Sequence, residues 1–469
     1  LVDSIFQRST TLSRRSLKEF VYQLCRVSRM EISGYGGHVG SDANDIDLTN
    51  DHPISISYDS ALVTADGELS DPTASPHIGI RGPGVKPLIP LIPDPLDGNK
   101  PKLECVSCHD PHVRDDSGAD IKFLRLNRFQ TAAPVPLDAS GLLVNFNQAN
   151  DIICLACHNK DGWVNSAHAS QTVANETYTD AAAVARDFPI NIQVWQAACL
   201  NCHDTHTVAG SRRLLREGTD APRVGGEQLK QGGGYPAIEE TCYQCHSNDG
   251  GTLTAQGVNT EVPDIKTDFQ SSRHMPITSA EQPAGSEVHN IGNTAQNGDG
   301  KDFIESQATL GKGAGNLINR HVECTDCHNP HRVIKNNLAS DNPHYAESAG
   351  THQHTGTIHN NLISGVLRGS WGVEPVYTSN SFHISPTTFN VKRGVPTMSV
   401  SMAGEPDSYS YVTREYQICL KCHSNYAFDD TNMPTLGSFT GGTTIGSNGL
   451  THYTNQAKEF QAPATHKGE

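Results

Sequence analysis

The sequence CVSCHDPH, residues 105–112, contains the motif on which the fold of this chain depends. The pattern Cys-x-x-Cys-His occurs six times and uses twelve of the thirteen cysteines. Random placement of the cysteines would give about 0.3 Cys-x-x-Cys pairs, and a histidine would follow such a pair about one time in twenty. The repetition therefore reflects a specific chemical requirement. The cysteines are Cys105, Cys108, Cys154, Cys157, Cys199, Cys202, Cys242, Cys245, Cys324, Cys327, Cys419 and Cys422, and the closing histidines are His109, His158, His203, His246, His328 and His423.

This motif is typical of the attachment site of a c-type haem. Two thiols form thioethers with the porphyrin vinyl groups, and the adjacent imidazole is held under the iron as its proximal ligand. Zinc ribbons and disulfides are the alternatives. Zinc does not require a histidine directly after every second cysteine, and a disulfide framework usually belongs to a much shorter, cysteine-dense chain. We therefore expect six covalently attached haems.

The composition is poor in the side chains that build a conventional core. Of 469 residues, 36% are hydrophobic and 6% aromatic, while 42 are Gly and 26 are Pro. A chain of this kind without cofactors would be expected to be partly disordered. Six porphyrins supply the missing apolar surface. The predicted fold is a multihaem cytochrome c, with loops and short helices wrapped around a chain of six stacked haems and with little β-structure.

The charge and hydropathy of the chain limit its partners and location. The formal net charge of −16 argues against a nucleic-acid partner, because phosphate binding needs clustered Lys and Arg. No stretch approaches eighteen consecutive apolar residues, so no transmembrane segment is predicted. Haem is attached covalently outside the cytoplasmic membrane, which predicts an exported protein, extracellular or at the cell surface, or alternatively periplasmic. Residues 1–30 lack an apolar signal region, and we interpret the chain as trimmed.

The six motifs form three pairs, and the first member of each pair carries a second histidine three residues on. These trailing histidines are His112, His206 and His331. The proximal imidazole is fixed on one face of its own haem, so a residue three positions later cannot reach the opposite face. It can reach a different iron alongside. We predict that the trailing histidines are distal ligands of neighbouring haems; the alternative is a helix cap or a bond to a propionate.

Three further distal ligands would complete six bis-histidine irons. The candidates lie upstream of each pair in turn-like settings and are His52, His168 and His274, with His38, His321 and His383 in reserve. Methionine ligation would raise the reduction potential, but the chain has only five Met. Irons with two histidine ligands are coordinatively saturated, which favours electron transfer over catalysis.

The three pairs divide the chain into segments. We predict a basic segment at 1–34 that carries Cys25, haem pairs within 35–160, 161–250 and 251–430, and a Gly/Ser/Thr-rich tail at 431–469. Residues 83–95 are expected to be extended and polyproline-like, and Phe389–Met402 alternates as a strand does. Residues 42–47 and 297–302 place oxygen ligands close together, but neither fits the twelve-residue calcium loop, so calcium is a weak alternative.

The sequences CVSCHDPH and CLACHNKDGW, together with SAHAS and EYQICLKCHS, resemble the doubled-CXXCH multihaem cytochromes of metal-reducing bacteria. The resemblance extends from about His52 to His423 and is greatest to exported hexahaem members, some of which polymerise into extracellular filaments. It implies an electron carrier whose partners are identical subunits or other cytochromes and whose acceptor is extracellular. In such filaments a distal histidine can come from the adjacent subunit, and His112 is the first candidate for that role.

Two other functions remain as alternatives. One is a monomeric electron shuttle in the periplasm or at the cell surface. The other is a multihaem reductase acting on nitrite, hydroxylamine or a sulfur oxyanion, which would need a haem with an open distal site. The sequence lacks the CxxCK motif known from nitrite reductases of this type. We therefore predict an electron carrier and no enzymatic activity.

Overall fold

The computed structural model describes residues 51–113, 122–206, 212–217, 237–256, 262–270, 289, 322–339, 352–355, 358–379, 381, 383–397, 402, 404, 406–427 and 455–459. Several predicted features lie outside these ranges. They are the segment 1–34 with Cys25, the acidic stretches 42–47 and 297–302, most of the tail, and the histidines His38, His274 and His321.

The described helices are short. The α-helices are α1 (Ser60–Asp66), α2 (Cys105–Cys108), α3 (Asp180–Ala185), α4 (Val194–Ala197), α5 (Ala237–Tyr243), α6 (Ile265–Gln270), α7 (Cys324–Cys327), α8 (Glu415–Cys419) and α9 (Gln456–Glu459). Turns of 3₁₀-helix cover Pro95–Asp97, Ile153–Ala156, Trp163–Asn165, Ala167–Ala169, Ala198–Asn201, Gly365–Leu367 and Pro406–Ser408. None of the helices in the described ranges is long and apolar enough to cross a membrane.

A four-stranded sheet precedes the first motif. Its strands are β1 (Ile56–Ser57), β2 (Ile78–Ile80), β3 (Ile89–Asp94) and β4 (Lys100–Leu103), in the order β1-β4-β3-β2. Strand β3 pairs with β2 in parallel through its first half and with β4 in antiparallel through its second half. Because each half pairs on one side only, the two prolines of β3 need not break a ladder on both sides. The extended segment predicted over residues 83–95 thus includes a strand.

Two hairpins lie between the fifth and sixth motifs. Strands β5 (His352–Thr355) and β6 (Ile358–Asn361) pair in antiparallel, as do β7 (Gly372–Val376) and β8 (Thr388–Lys392). Strand β8 covers the start of the predicted stretch Phe389–Met402, and the residues that follow to 397 are irregular. β7 packs against α8, which leads directly into the sixth motif.

Apolar side chains form several small clusters beside the motifs. One surrounds Tyr178, Phe188 and Trp195 and is packed against Cys245. Others include Cys157, the pair Cys154 and Cys199, or Cys327 at their margins. Five motif cysteines therefore lie at the edges of apolar clusters, where a porphyrin would extend them.

Ion pairs and backbone bonds join distant segments of the chain. The carboxylate of Glu68 accepts from Lys160 Nζ at 2.8 Å and from Arg332 at 2.9 Å. Arg332 is 8% exposed, so this contact between the first and third haem-pair segments is largely shielded from water. The backbone of Ala167 also donates to Val333 at 2.7 Å. The three segments thus contact one another outside the motifs.

Candidate haem sites

Each Cys-x-x-Cys-His motif folds into a single tight turn. In all six, the backbone N–H of the histidine donates to the carbonyl of the first cysteine, at 2.8 to 3.0 Å. In the first and fifth motifs this turn is a helix, α2 or α7, with a glutamate as its N-cap. The N–H of Glu104 donates to Ser107 Oγ, and that of Glu323 to Asp326 Oδ2, each at 3.0 Å. This turn places both thiols and the imidazole on a short rigid unit.

Two arginines brace the first and third motifs in the same way. Arg125 Nε donates to the carbonyl of Val106 and its Nη1 contacts Asp110 Oδ2 at 2.8 Å. Arg216 Nε donates to the carbonyl of Leu200 and its Nη1 contacts Asp204 Oδ2 at 2.9 Å. Sequence reasoning did not single out these arginines. The available signal was a Leu-Arg dipeptide after each motif, whose arginine comes 16 residues after His109 in one case and 13 residues after His203 in the other.

Consecutive motifs are neighbours in space. The thiols of Cys154 and Cys199 form a hydrogen bond between the second and third motifs, and those of Cys242 and Cys324 between the fourth and fifth. The second cysteines are neighbours within each pair of motifs. Burial raises the pKa of Cys157, Cys245 and Cys327 to about 12, and thiols of the paired motif add to the effect, while the charge of Lys421 opposes it at Cys327. The six motifs therefore follow one another in space in the order of the sequence.

Five of the six motif histidines have a second imidazole facing them. The separations of the ring centroids lie between 6.0 and 6.4 Å. The pairs are His52–His158 at 6.0 Å, His109–His206 at 6.1 Å, His168–His246 at 6.4 Å, His203–His331 at 6.3 Å and His289–His423 at 6.0 Å.

This separation fits a metal ion held between two imidazoles. A metal–nitrogen bond of about 2.0 Å places the ion about 3.2 Å from a ring centroid, so rings on opposite sides are about 6.3 Å apart. Five other ring pairs among the described residues lie closer, at 5.0 to 5.5 Å, whereas the packed rings of Trp163 and His331 lie at 6.2 Å, so the separation agrees with a shared metal ion but is not specific to one. The residues thus fit a haem iron with two histidine ligands.

The ring nitrogens are arranged for ligation through Nε2. In His52, His109, His168 and His203, Nδ1 lies 2.8 to 3.1 Å from a backbone carbonyl oxygen. A carbonyl can only accept, so Nδ1 carries the proton and Nε2 keeps its lone pair. Metal-binding histidines commonly donate their other ring nitrogen in this manner, which fixes the tautomer and the ring orientation.

Burial favours the neutral imidazoles that ligation requires. It lowers the pKa of His158 and His246 to about 4 and that of His331 to about 3, with a neighbouring imidazole adding to the effect. His206 differs. Burial lowers its pKa, but the hydrogen bond and charge of Asp51 outweigh burial, and the pKa is raised.

The pairs follow two rules. An upstream histidine faces the second motif of its pair, as His52 faces His158 and His168 faces His246. A trailing histidine faces the first motif of the preceding pair, as His206 faces His109 and His331 faces His203. The four predicted distal histidines His52, His168, His206 and His331 are thus each placed opposite a motif histidine. Their role as ligands stays a prediction.

The other predicted distal ligands are placed differently. His112 has an exposed side chain and no motif histidine faces it among the described residues. His274 lies outside the described ranges, and the ring opposite His423 belongs to His289. Sequence reasoning passed over His289. Its only signal was its interval of 121 residues from His168, close to the 116 between His52 and His168.

The remaining motif histidine, His328, is exposed. Its Nδ1 lies 2.7 Å from the carbonyl oxygen of Val366, so its Nε2 is also available, and none of the described rings faces it. His383, a reserve candidate, is exposed with a positive φ of 64°. Within the described ranges no group of three or more His, Cys, Asp or Glu side chains is arranged to hold a metal ion, and the two acidic stretches considered for calcium lie elsewhere. Comparison of the chain with protein-family models, with curated proteins and with solved structures finds no match.

Proposed function

We propose that the chain is a c-type cytochrome that carries electrons through six covalently attached haems, and that it polymerises head to tail into an extracellular conductor. Three features support the first part: six attachment motifs, their order in space, and five pairs of imidazoles at the separation expected across an iron. Irons with two histidine ligands have no open position for a substrate. This argues for electron transfer to an external acceptor and against a reductase.

The filament is proposed because each haem pair, here called a repeat, is offset from the next. His206 and His331 each face the first motif of the preceding repeat. The trailing histidine of the first repeat therefore has no earlier repeat to face, and no later repeat provides a trailing histidine for the first motif of the third. His112 is 76% exposed, and its Nδ1 is held by Asp110 at 3.1 Å, which leaves Nε2 free. His328 lies at the opposite end of the series. The rule that places His331 opposite His203 would place His112 of a second copy opposite His328.

A contact of this kind is heterologous, because different surfaces of the two copies meet. Heterologous contacts that do not close into a ring produce open filaments. The competing arrangement is ligation within one chain, for which the predicted ligand His274 is the candidate. In that case the protein would be the monomeric shuttle.

The test compares His112→Ala with the control His77→Ala, because His77 packs against Phe146 and has no predicted ligand role. Each protein is imaged by negative-stain electron microscopy, and binding of carbon monoxide to the reduced protein is measured. We expect filaments that bind no carbon monoxide for the control. We expect discrete particles that bind about one carbon monoxide per chain for His112→Ala.

Added imidazole should restore the low-spin spectrum of His112→Ala without restoring filaments. If His112→Ala still forms filaments, the proposed contact is wrong. If the natural chain is monomeric and His274→Ala opens an iron instead, the shuttle is the better interpretation. If the natural chain itself binds carbon monoxide, an open haem and a reductase return to consideration.

A further inference from the structure

Asp51 is a buried carboxylate held against a predicted iron ligand. Its side chain is 6% exposed, and its Oδ1 lies 3.0 Å from Nδ1 of His206. Its other oxygen, Oδ2, is buried and has no hydrogen-bond partner among the described residues. Next to it, the backbone N–H of His52 donates to the carbonyl of Thr205 at 2.9 Å. The segment is therefore fixed on the loop that carries His206.

This contact distinguishes His206 from four of the other paired histidines. His52, His109, His168 and His203 donate to neutral backbone carbonyls. Among the described histidines, the other bond from a ring nitrogen to a carboxylate is that of His112 to Asp110, which is exposed to solvent. The carboxylate of Asp51 is shielded from water, although the side chain of His206 is 47% exposed, and a shielded negative charge acts more strongly than the same charge in solvent.

We propose that Asp51 is a positioning residue that lowers the reduction potential of the iron held by His109 and His206. A carboxylate that accepts from the far nitrogen of a ligating imidazole raises the basicity of that ligand. The more basic imidazole, together with the nearby negative charge, stabilises the ferric state relative to the ferrous state. Reduction adds one electron and removes one positive charge, so it loses part of this stabilisation.

The inference deepens the proposed function and depends on its assignment of His109 and His206 to one iron. It does not depend on polymerisation. A lower potential at the first haem favours electron transfer from this haem to its neighbour over the reverse step. Asp51 would thereby favour electron flow away from the first haem, at one end of the haem series.

The test is a potentiometric titration of the haem-loaded protein, followed by visible and low-temperature EPR spectroscopy. Asp51→Asn keeps an oxygen acceptor at the same position and removes the charge. Asp71→Asn is the control, because it removes one charge from an exposed site in the same segment. His206→Met identifies the iron concerned by changing its spectrum.

We expect Asp51→Asn to make reduction of this one iron about tenfold more favourable, which is a rise of about 59 mV for a one-electron couple. The other five irons and Asp71→Asn should keep their potentials. An unchanged potential in Asp51→Asn would mean that Asp51 only orients the ring, even though the proposed function would stand. An unchanged spectrum in His206→Met would instead remove the ligand assignment on which both ideas depend.

If Asp51→Asn fails to bind six haems, Asp51→Ser gives the same comparison, because its hydroxyl can accept without a charge. The reduction potential of the iron assigned to His109 and His206 must rise in this variant too. A potential equal to that of the natural protein would overturn the inference for this variant as well.

Discussion

Glu374 should make part of the fold sensitive to pH between about 4.5 and 7. Its carboxylate lies on β7 with 4% of the residue exposed. Tyr416 Oη donates to it, with both oxygens at 3.0 Å, and Gln417 Nε2 donates to it at 2.5 Å. Burial raises the pKa of Glu374 to about 7, and the charge of Asp407 adds to the effect, while Lys392 opposes it.

The direction of the effect follows from the pKa in the two states. The folded carboxyl has a pKa of about 7 and the unfolded one 4.5, so the folded state binds the proton more tightly. The free energy of unfolding should therefore fall as pH rises from about 4.5 to about 7 and then level off. At 1.36 kcal/mol for each pKa unit, the shift corresponds to about 3 kcal/mol.

Glu374→Gln resembles the protonated carboxyl and should abolish most of this dependence. The assay is amide hydrogen exchange of β7, β8 and α8 at pH 5.5 and pH 8, corrected for the intrinsic exchange rate, with urea unfolding as a second measure. Glu415→Gln removes one charge from α8, which packs against β7, at a position that is less buried than Glu374, and it should keep the slope of the natural protein. The reasoning fails if the natural protein is equally stable at both pH values, or if Glu374→Gln retains its slope.

Three further substitutions test other parts of the structure. His289→Met should change the low-temperature EPR signal of one iron of six and leave the others unchanged; an unchanged spectrum would exclude His289 as a ligand. Gly365→Ala would bring its Cβ to 2.6 Å from two backbone carbonyl oxygens and should reduce stability to urea by about 2 kcal/mol. Gly82→Ala, which meets no atom within 4 Å, is its control, and equal losses would contradict the packing argument. Arg332→Met should cost about 1–3 kcal/mol because it removes a buried partner of Glu68, measured as faster hydrogen exchange at that contact; unchanged exchange would show that the ion pair contributes little.

The sequence alone allows local features of the candidate sites to be predicted, because these features depend on spacing. A cysteine pair with an adjacent histidine can be recognised without a fold. The same reasoning predicted that His206 and His331 reach a neighbouring haem, since each is too close in the chain to its own motif histidine. The structure places each of them opposite a different motif histidine. Whether they bind iron stays a prediction.

The sequence could not predict which motif each of these two histidines faces. His206 faces a motif 97 residues before it, and that contact depends on how the intervening chain folds. The upstream candidate ligands show the same limit. The sequences next to His274 and His289 are both polar, and nothing in them decides between the two histidines. Asp51 was also not singled out, because a lone aspartate carries no pattern and its role arises only from a contact with His206, 155 residues away.

The offset between repeats explains how the same contact, between a trailing histidine and the first motif of another repeat, could form both inside the chain and between chains. If each trailing histidine served its own repeat, every repeat would be complete and polymerisation would need a separate interface. Because His206 and His331 instead face the preceding repeat, no repeat is complete without the next one. Among the described residues, the histidine and the motif that this arrangement leaves unmatched are His112 and His328. A second copy that matches them repeats a contact already present twice within the chain, so the proposed filament requires no new kind of interaction.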